Sequence, residues 1–120
     1  MRTMTIRLKR AYDAPSEDDG NRLLVDRIWP RGIGREDARI DEWLKEIAPS
    51  DQLRRWFGHD PDKWDEFKKR YFRELDNRPE AVRSLAKRAT EGPLTIVFAA
   101  KDVEHNNAVA LKEYLSRIIC

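Results

Sequence analysis

Leu94-Thr95-Ile96-Val97-Phe98-Ala99-Ala100 is the stretch that decides the fold. Its residues carry no charge, and Thr, Ile, Val and Phe favour extended backbone. An uncharged run of this length reads as a strand buried on both faces, as in a parallel sheet covered by helices. Downstream, a polar loop over residues 101–107 leads into a last helix carrying Val109, Leu111, Tyr114, Leu115 and Ile118.

Upstream, the chain supplies partners for that strand. Met4, Ile6 and Leu8 alternate with Thr5, Arg7 and Lys9, a period-two pattern that predicts a first strand. Residues 13–20, DAPSEDDG, are acidic and rich in breakers, so they read as a loop. Residues 22–29, RLLVDRIW, read as a central strand stopped by Pro30 and the turn Arg31-Gly32-Ile33-Gly34. The spacing predicts a helix over 41–47 with Trp43, Leu44 and Ile47 on one face, ended by Pro49. Ser50 reads as the N-cap of a short helix carrying Leu53, Trp56 and Phe57, with Gly58 as its stop. Asp60-Pro61 opens another, with Trp64, Phe67, Tyr71 and Leu75 on one stripe. Asn77-Arg78-Pro79-Glu80 starts a fourth, with Val82, Leu85, Ala86 and Ala89 inward and Gly92 closing it. The expected fold is therefore α/β: a single small domain over residues 1–120, with a short, three- to four-stranded, at least partly parallel sheet covered by helices.

Composition narrows the function classes. The 120 residues carry 24 basic and 22 acidic side chains, a formal charge of only +2. That balance argues against a general nucleic-acid coat. The one cysteine, Cys120, is the final residue, which excludes an internal disulfide and fits a reducing, cytoplasmic setting. No apolar run reaches the ~20 residues of a membrane span, and the first ten residues lack the apolar core of a secretory signal. Without a cysteine pair or His-rich spacing there is no metal-site signal, and no cofactor or nucleotide fingerprint is present.

In a parallel sheet, ligands bind outside the carboxyl ends of the strands. Three such ends are expected here, and all three are polar. The first supplies Arg10 and Tyr12. The second supplies Asp26, Arg27, Trp29 and Arg31, two arginines around a rigid Trp-Pro corner; guanidinium forks suit phosphates and carboxylates. Against this stands a structural corner in which Asp26 pairs with an arginine and Trp29 packs under the helices. The third end supplies Lys101, Asp102, Asn106 and Asn107, with Asp102 or a neighbour capping the last helix. His59 and His105 are the candidate proton-transfer groups near neutral pH. Trp43, Trp56 and Trp64 are expected to be mostly buried, since they fall on apolar stripes. Arg31, held just after Pro30, is expected to face a fixed partner: an external anion, or a carboxylate such as Asp26 or Asp102.

LVDRIWPRG, DEWLKEIAPSDQLRRWFGHDP with Trp64 and Phe67 following, and AAKDVEHNNAVALKEYL together resemble the DUF488 family, most closely its short YeaO-like branch. The likeness runs from Ile6 to Leu115. It implies a small α/β protein, and some members carry labels as transcriptional regulators. The recognisable motif positions are Asp26, Arg27, Trp29, Pro30, Arg31, Trp56, Phe57, His59, Asp60, Asn107 and Tyr114. The longer branch carries cysteine on the last strand and a Cys-His-Arg run at the last helix. The matching positions here are Phe98 and then Asn106, Asn107 and Ala108, so thiol or metal chemistry does not transfer.

Two readings follow. One is a site for an anionic small molecule at the carboxyl edge of the sheet, enzymatic or not, lined by Arg10, Arg27, Arg31 and Lys101. The alternative is a nucleic-acid-binding or regulatory interaction module using the basic first strand, with Arg2, Arg7, Lys9 and Arg10. The sequence specifies no substrate, reaction or oligomeric state.

Overall fold

The computed structural model describes residues 6–119. The expected first-strand residues Met4 and Thr5, the basic Arg2 and the terminal Cys120 lie outside them. Four strands form one all-parallel sheet: β1 (Ile6–Arg10), β2 (Asn21–Leu24), β3 (Glu42–Trp43) and β4 (Leu94–Phe98). Their spatial order is β1-β4-β2-β3, so β4 is central and every residue of it is buried. Registers Leu8↔Ile96 and Leu23↔Ile96 fix which side chains share a face.

Alternation then divides the sheet into two surfaces. Ile6, Leu23, Val25, Leu94, Ile96 and Phe98 point into the main core. Four helices cover that face: α2 (Asp51–Phe57), α3 (Trp64–Asp76), α4 (Pro79–Glu91) and α5 (Asn107–Ile119), after a four-residue α1 (Arg35–Ala38) earlier in the chain. Phe67, Tyr71 and Leu75 of α3, Val82, Leu85 and Ala89 of α4, and Ala108, Leu111 and Leu115 of α5 complete the core. Burial raises the Tyr71 hydroxyl's pKa, and the hydroxyl donates to the Ile47 carbonyl at 2.6 Å.

The opposite face is covered by irregular chain and the four-residue α1 rather than by long helices. Leu24, Val97 and Ala11 pack there with Trp29, Ile33, Ile40 and Trp43. The breaker-rich loop after β1 runs back across this face and carries Asp19 into full burial. Asp19 Oδ2 accepts from Arg22 Nη1 at 2.6 Å, and Oδ1 lies 2.8 Å from Lys9 Nζ. The rest of the Arg22 guanidinium donates to the carbonyls of Arg39 and Ala38. A loop can cover a sheet in this way because its buried polar groups are paired. Gly20 ends the loop at φ +63, where a Cβ would lie 2.1 Å from the Pro93 carbonyl oxygen. Only glycine lets the two backbones approach this closely.

Several expectations are corrected. Residues 41–47 form β3 and one 3₁₀ turn, not a helix. Asp41 accepts from the Arg22 N–H at 2.8 Å, and the Leu44 N–H donates to the Leu24 carbonyl at 2.8 Å. Strand pairing with β2 thus overrides the local helical pattern. The second strand is shorter than its apolar run: the Val25 N–H still bonds Val97, but beyond it the chain turns away. Ile118, near the end of the last helix, is 48% exposed. Trp43, Trp56 and Trp64 are mostly buried, as expected, though none is fully so. Cations cover their outer faces, with Lys45 over Trp43, Arg70 over Trp56 and Lys68 over Trp64.

Candidate functional site

The carboxyl ends of β1, β2 and β4 meet at one cavity of about 660 Å³. Tyr12 follows β1, residues 26–31 follow β2, and Ala99 to Asp102 follow β4; all of these line it, with Asn106 and Asn107. Arg31 and Asn107 thus share one cleft, as the carboxyl-edge rule requires.

Its floor is aromatic. Phe57 and Phe67 stack with ring centroids 4.3 Å apart, and Trp64 stacks on Phe67 at 5.8 Å. Gly58, in the left-handed region, stops α2 immediately after Phe57. His59 follows at φ +57, also left-handed, and lines the cavity exposed to solvent. Tyr12, Ile28 and Val103, three of the four large apolar side chains most exposed among the described residues, stand on the three loops that follow these strands.

Asp26 is the polar centre. Its Oδ2 accepts from the Ala99 N–H at 2.9 Å and its Oδ1 from Asn107 Nδ2 at 3.0 Å. Burial raises its pKa, while the bonds from Asn107 and Ala99 and the charge of His59 oppose the rise. The structural corner expected from sequence paired Asp26 with an arginine. Among the described residues no arginine reaches it; amides hold it instead, and its carbonyl accepts from Trp43 Nε1 at 2.6 Å.

Four cations line the cavity: Arg27, Arg31, Arg54 and Lys101. Arg27 donates to the Pro49 carbonyl at 3.1 Å and lies 3.7 Å from Asp51, and Arg54 lies 3.4 Å from Asp51. Arg31 and Lys101 are exposed. Neither makes a side-chain hydrogen bond, ion pair or ring contact among the described residues. The Arg31 backbone is nevertheless fixed, its carbonyl accepting from Tyr12 Oη at 2.9 Å. Neither Asp26 nor Asp102 is its partner.

Other predicted residues serve the frame. Arg10 does not line the cavity: its guanidinium donates to the carbonyls of Ala100 and Ala99 at 2.9 and 3.2 Å, tying down the end of β4. Trp29 lines it, donates to the Ile33 carbonyl at 2.7 Å and packs edge-on against Trp43. Asp102 does not cap α5. It accepts from the Glu104 and His105 N–H groups and lies 3.0 Å from His105 Nδ1. The Glu104 N–H, with help from His105, lowers its pKa. Asn106, almost fully buried, is the cap, accepting from the Val109 N–H at 2.9 Å. His105 stands behind the wall, edge-on to Trp64 at 5.4 Å. In the basic first strand, Lys9 is paired with Asp19, Arg10 is engaged as above, and Arg7 is exposed.

Pro49, Arg54, Phe57 and Phe67 line the cavity without having been expected there. For Arg54 and Phe57 the signal was the Phe57-Gly58-His59 corner, because a helix stopped beside a site residue brings its last turn to the site; Pro49 and Phe67 carried no such local signal. Among the described residues no group of three or more His, Cys, Asp and Glu side chains converges to hold a metal, and no helix is long and apolar enough to cross a membrane.

The structure defines a small, all-parallel α/β domain with an aromatic-floored cavity at the carboxyl edge of its sheet. The chain belongs to the DUF488 family: residues 5–119 match the group described as the inactive DUF488-N3 subclade. It is 41% identical over 112 residues to the uncharacterized protein YeaO of Escherichia coli K12, covering 93% of this chain and 97% of that one. It is 40% identical over 116 residues to the uncharacterized proteins Mb3100c of Mycobacterium bovis and Rv3073c of Mycobacterium tuberculosis, covering 97% of this chain and 98% of each. No solved structure matches the chain.

Proposed function

We propose that the protein binds a small anionic molecule in the carboxyl-edge cavity and does not turn it over. The observation that carries this reading is the pair Arg31 and Lys101, two cavity cations with no carboxylate of the described residues opposite them. A fixed backbone behind Arg31 aims a planar fork suited to phosphate or carboxylate. The cavity's volume and its apolar lining with a few polar groups match those of small-molecule sites. Binding without turnover is supported by the description of the matching subclade as inactive. It is also supported by the residues at the positions that resemble the longer branch's thiols: Phe98 lies in the core, and Asn106 is buried as the cap of α5.

The test is a thermal-shift screen with inorganic phosphate, simple carboxylates and larger anionic metabolites. A ligand at about a hundred times its Kd stabilises by about 2.7 kcal/mol. The expected result is a saturable rise in Tm that disappears in the Arg31→Gln/Lys101→Gln double variant, whose unliganded Tm is unchanged. Stabilisation that survives in the double variant, or none with any anion, overturns the reading.

A further inference from the structure

The cavity also contains an acid that an anion does not explain. Asp26 carries the negative charge of the lining together with Asp102, but the two are used differently. Asp102 is consumed by its own loop, holding two backbone N–H groups and the His105 ring. Asp26 lies deep between the strand ends and keeps capacity. Each of its oxygens accepts one amide hydrogen, from Ala99 and from Asn107, leaving a lone pair free on each. Among the described residues no Lys or Arg lies within ion-pair distance of it. Around it stand flat apolar surfaces, namely Trp29, Phe57 and Phe67. The two unpaired cations are exposed at the rim, while Asp26 is half-buried within.

We infer that the ligand is a planar aromatic ring bearing N–H donors as well as an anionic group, the donors meeting Asp26 and the anion meeting Arg31 and Lys101. This inference rests on the anion reading above and adds a chemical class to it. A carboxylate taken largely out of water costs stability unless donors satisfy its acceptor sites, and a ligand's N–H groups would fill the lone pair left on each oxygen. A carboxylate held by two fixed amide donors is also pre-aligned, and an aligned acceptor rejects analogues that lack the donor. An amino-purine phosphate and an amino-substituted aromatic carboxylate share this chemistry. Phosphate and carboxylate arms in the experiment tell them apart.

The experiment measures affinity by calorimetry for two matched pairs on the full chain. The pairs are adenosine 5′-monophosphate against purine riboside 5′-monophosphate, and 4-aminobenzoate against benzoate. Within at least one pair, the amino compound is expected to bind tighter by at least about tenfold, the scale of a hydrogen bond to a charged group. The same preference is expected to collapse in Asp26→Asn. The wild-type comparison stands by itself should Asp26→Asn fold poorly. Equal binding within both pairs overturns the donor inference and leaves the anion reading intact. A preference for the amino compound that survives Arg31→Gln/Lys101→Gln with undiminished affinity overturns the anion reading and keeps the Asp26 assignment. No binding by any of the four compounds, with inorganic phosphate also inert, overturns both.

Discussion

Asn107, the first residue of α5, donates through Nδ2 to both the Val25 carbonyl and Asp26 Oδ1, each at 3.0 Å. One side chain therefore joins the last helix to the end of β2 and orients the acid at the cavity's centre. The Ala99 N–H, at the end of β4, holds the other oxygen. The corner at Asp26 is thus a three-element junction, which explains why β2 stops where it does.

Replacing Asn107 by alanine removes both bonds at once and leaves the Val25 carbonyl without this donor. The expected cost is about 1–3 kcal/mol, read as a shift in the denaturation midpoint. Because the Asn107 bond opposes the rise that burial imposes on Asp26, the variant is also expected to raise the Asp26 pKa further. A carboxyl-carbon NMR titration reads this directly. An unchanged Asp26 titration would mean that the Ala99 N–H alone orients the acid.

On the far face, the buried Asp19 couples the fold's stability to acid pH. Burial raises its pKa, but Lys9, the Ser16 N–H and Arg22 outweigh burial and bring it from 3.8 down to about 2. A depressed carboxylate contributes stability that is full above its unfolded value and is lost as pH falls through its folded one. The window is therefore from about pH 4 down to about pH 2, and the contribution is about 2 kcal/mol. Denaturant titrations across that range are expected to show the loss in the wild type. Asp19→Asn should remove the slope and lower stability at pH 7 by about 3–5 kcal/mol, since Arg22 is then left buried and uncompensated.

How much of this was legible in the sequence differs between the two faces of the sheet. The helical face announced itself, because the stripes through Phe67, Tyr71 and Leu75 and through Val82, Leu85 and Ala89 have the period that burial on one side of a helix demands. The Ser50 and Asp60 caps were readable for the same local reason. The other face was hidden. Asp19 and Arg22 look like surface residues until a long-range ion pair buries them, and β3 is two residues that only pairing with β2 makes into a strand. For the site, the carboxyl-edge rule brought Tyr12, residues 26–31 and residues 101–107 together, since it depends on strand direction alone. It could not tell that the Arg10 guanidinium turns onto carbonyls of its neighbour strand, nor that Asp26 is held by amides rather than by an arginine. Those outcomes depend on side-chain paths that no local pattern encodes.

His59 is one of two non-glycine residues among those described with positive φ, the other being Arg39. A left-handed conformation costs an L-residue roughly 1–2 kcal/mol. His59→Gly relieves that strain and gives up a tilted ring contact with Phe57 at 6.4 Å. The expected net effect is a gain of about 1 kcal/mol, seen as a higher Tm, accompanied by weaker binding of any ligand whose affinity depends on the imidazole. A stabilised variant with unaltered binding would assign His59 to the turn alone.

Arg31 offers the sharpest division between frame and site. Its backbone is pinned by Pro30 before it and by the Tyr12 hydroxyl on its carbonyl, yet its guanidinium meets no partner among the described residues. A residue whose side chain supports nothing in the fold can be changed without loss of stability, and exposed substitutions of this kind fall within about 0.5 kcal/mol. Arg31→Lys keeps the charge and loses the planar, two-pronged geometry. The expected outcome is an unliganded Tm equal to that of the wild type, together with a reduced anion-dependent rise. The reduction should be larger for ligands that accept two parallel bonds, such as phosphate esters and carboxylates, than for a spherical anion such as chloride. Calorimetry on the folded variant separates the two contributions, because the substituted ammonium retains the point-charge attraction and forfeits only the fork. If Arg31→Lys instead lowers the unliganded Tm by several degrees, the guanidinium has an internal partner in solution, and Lys101 alone is left to face the anion.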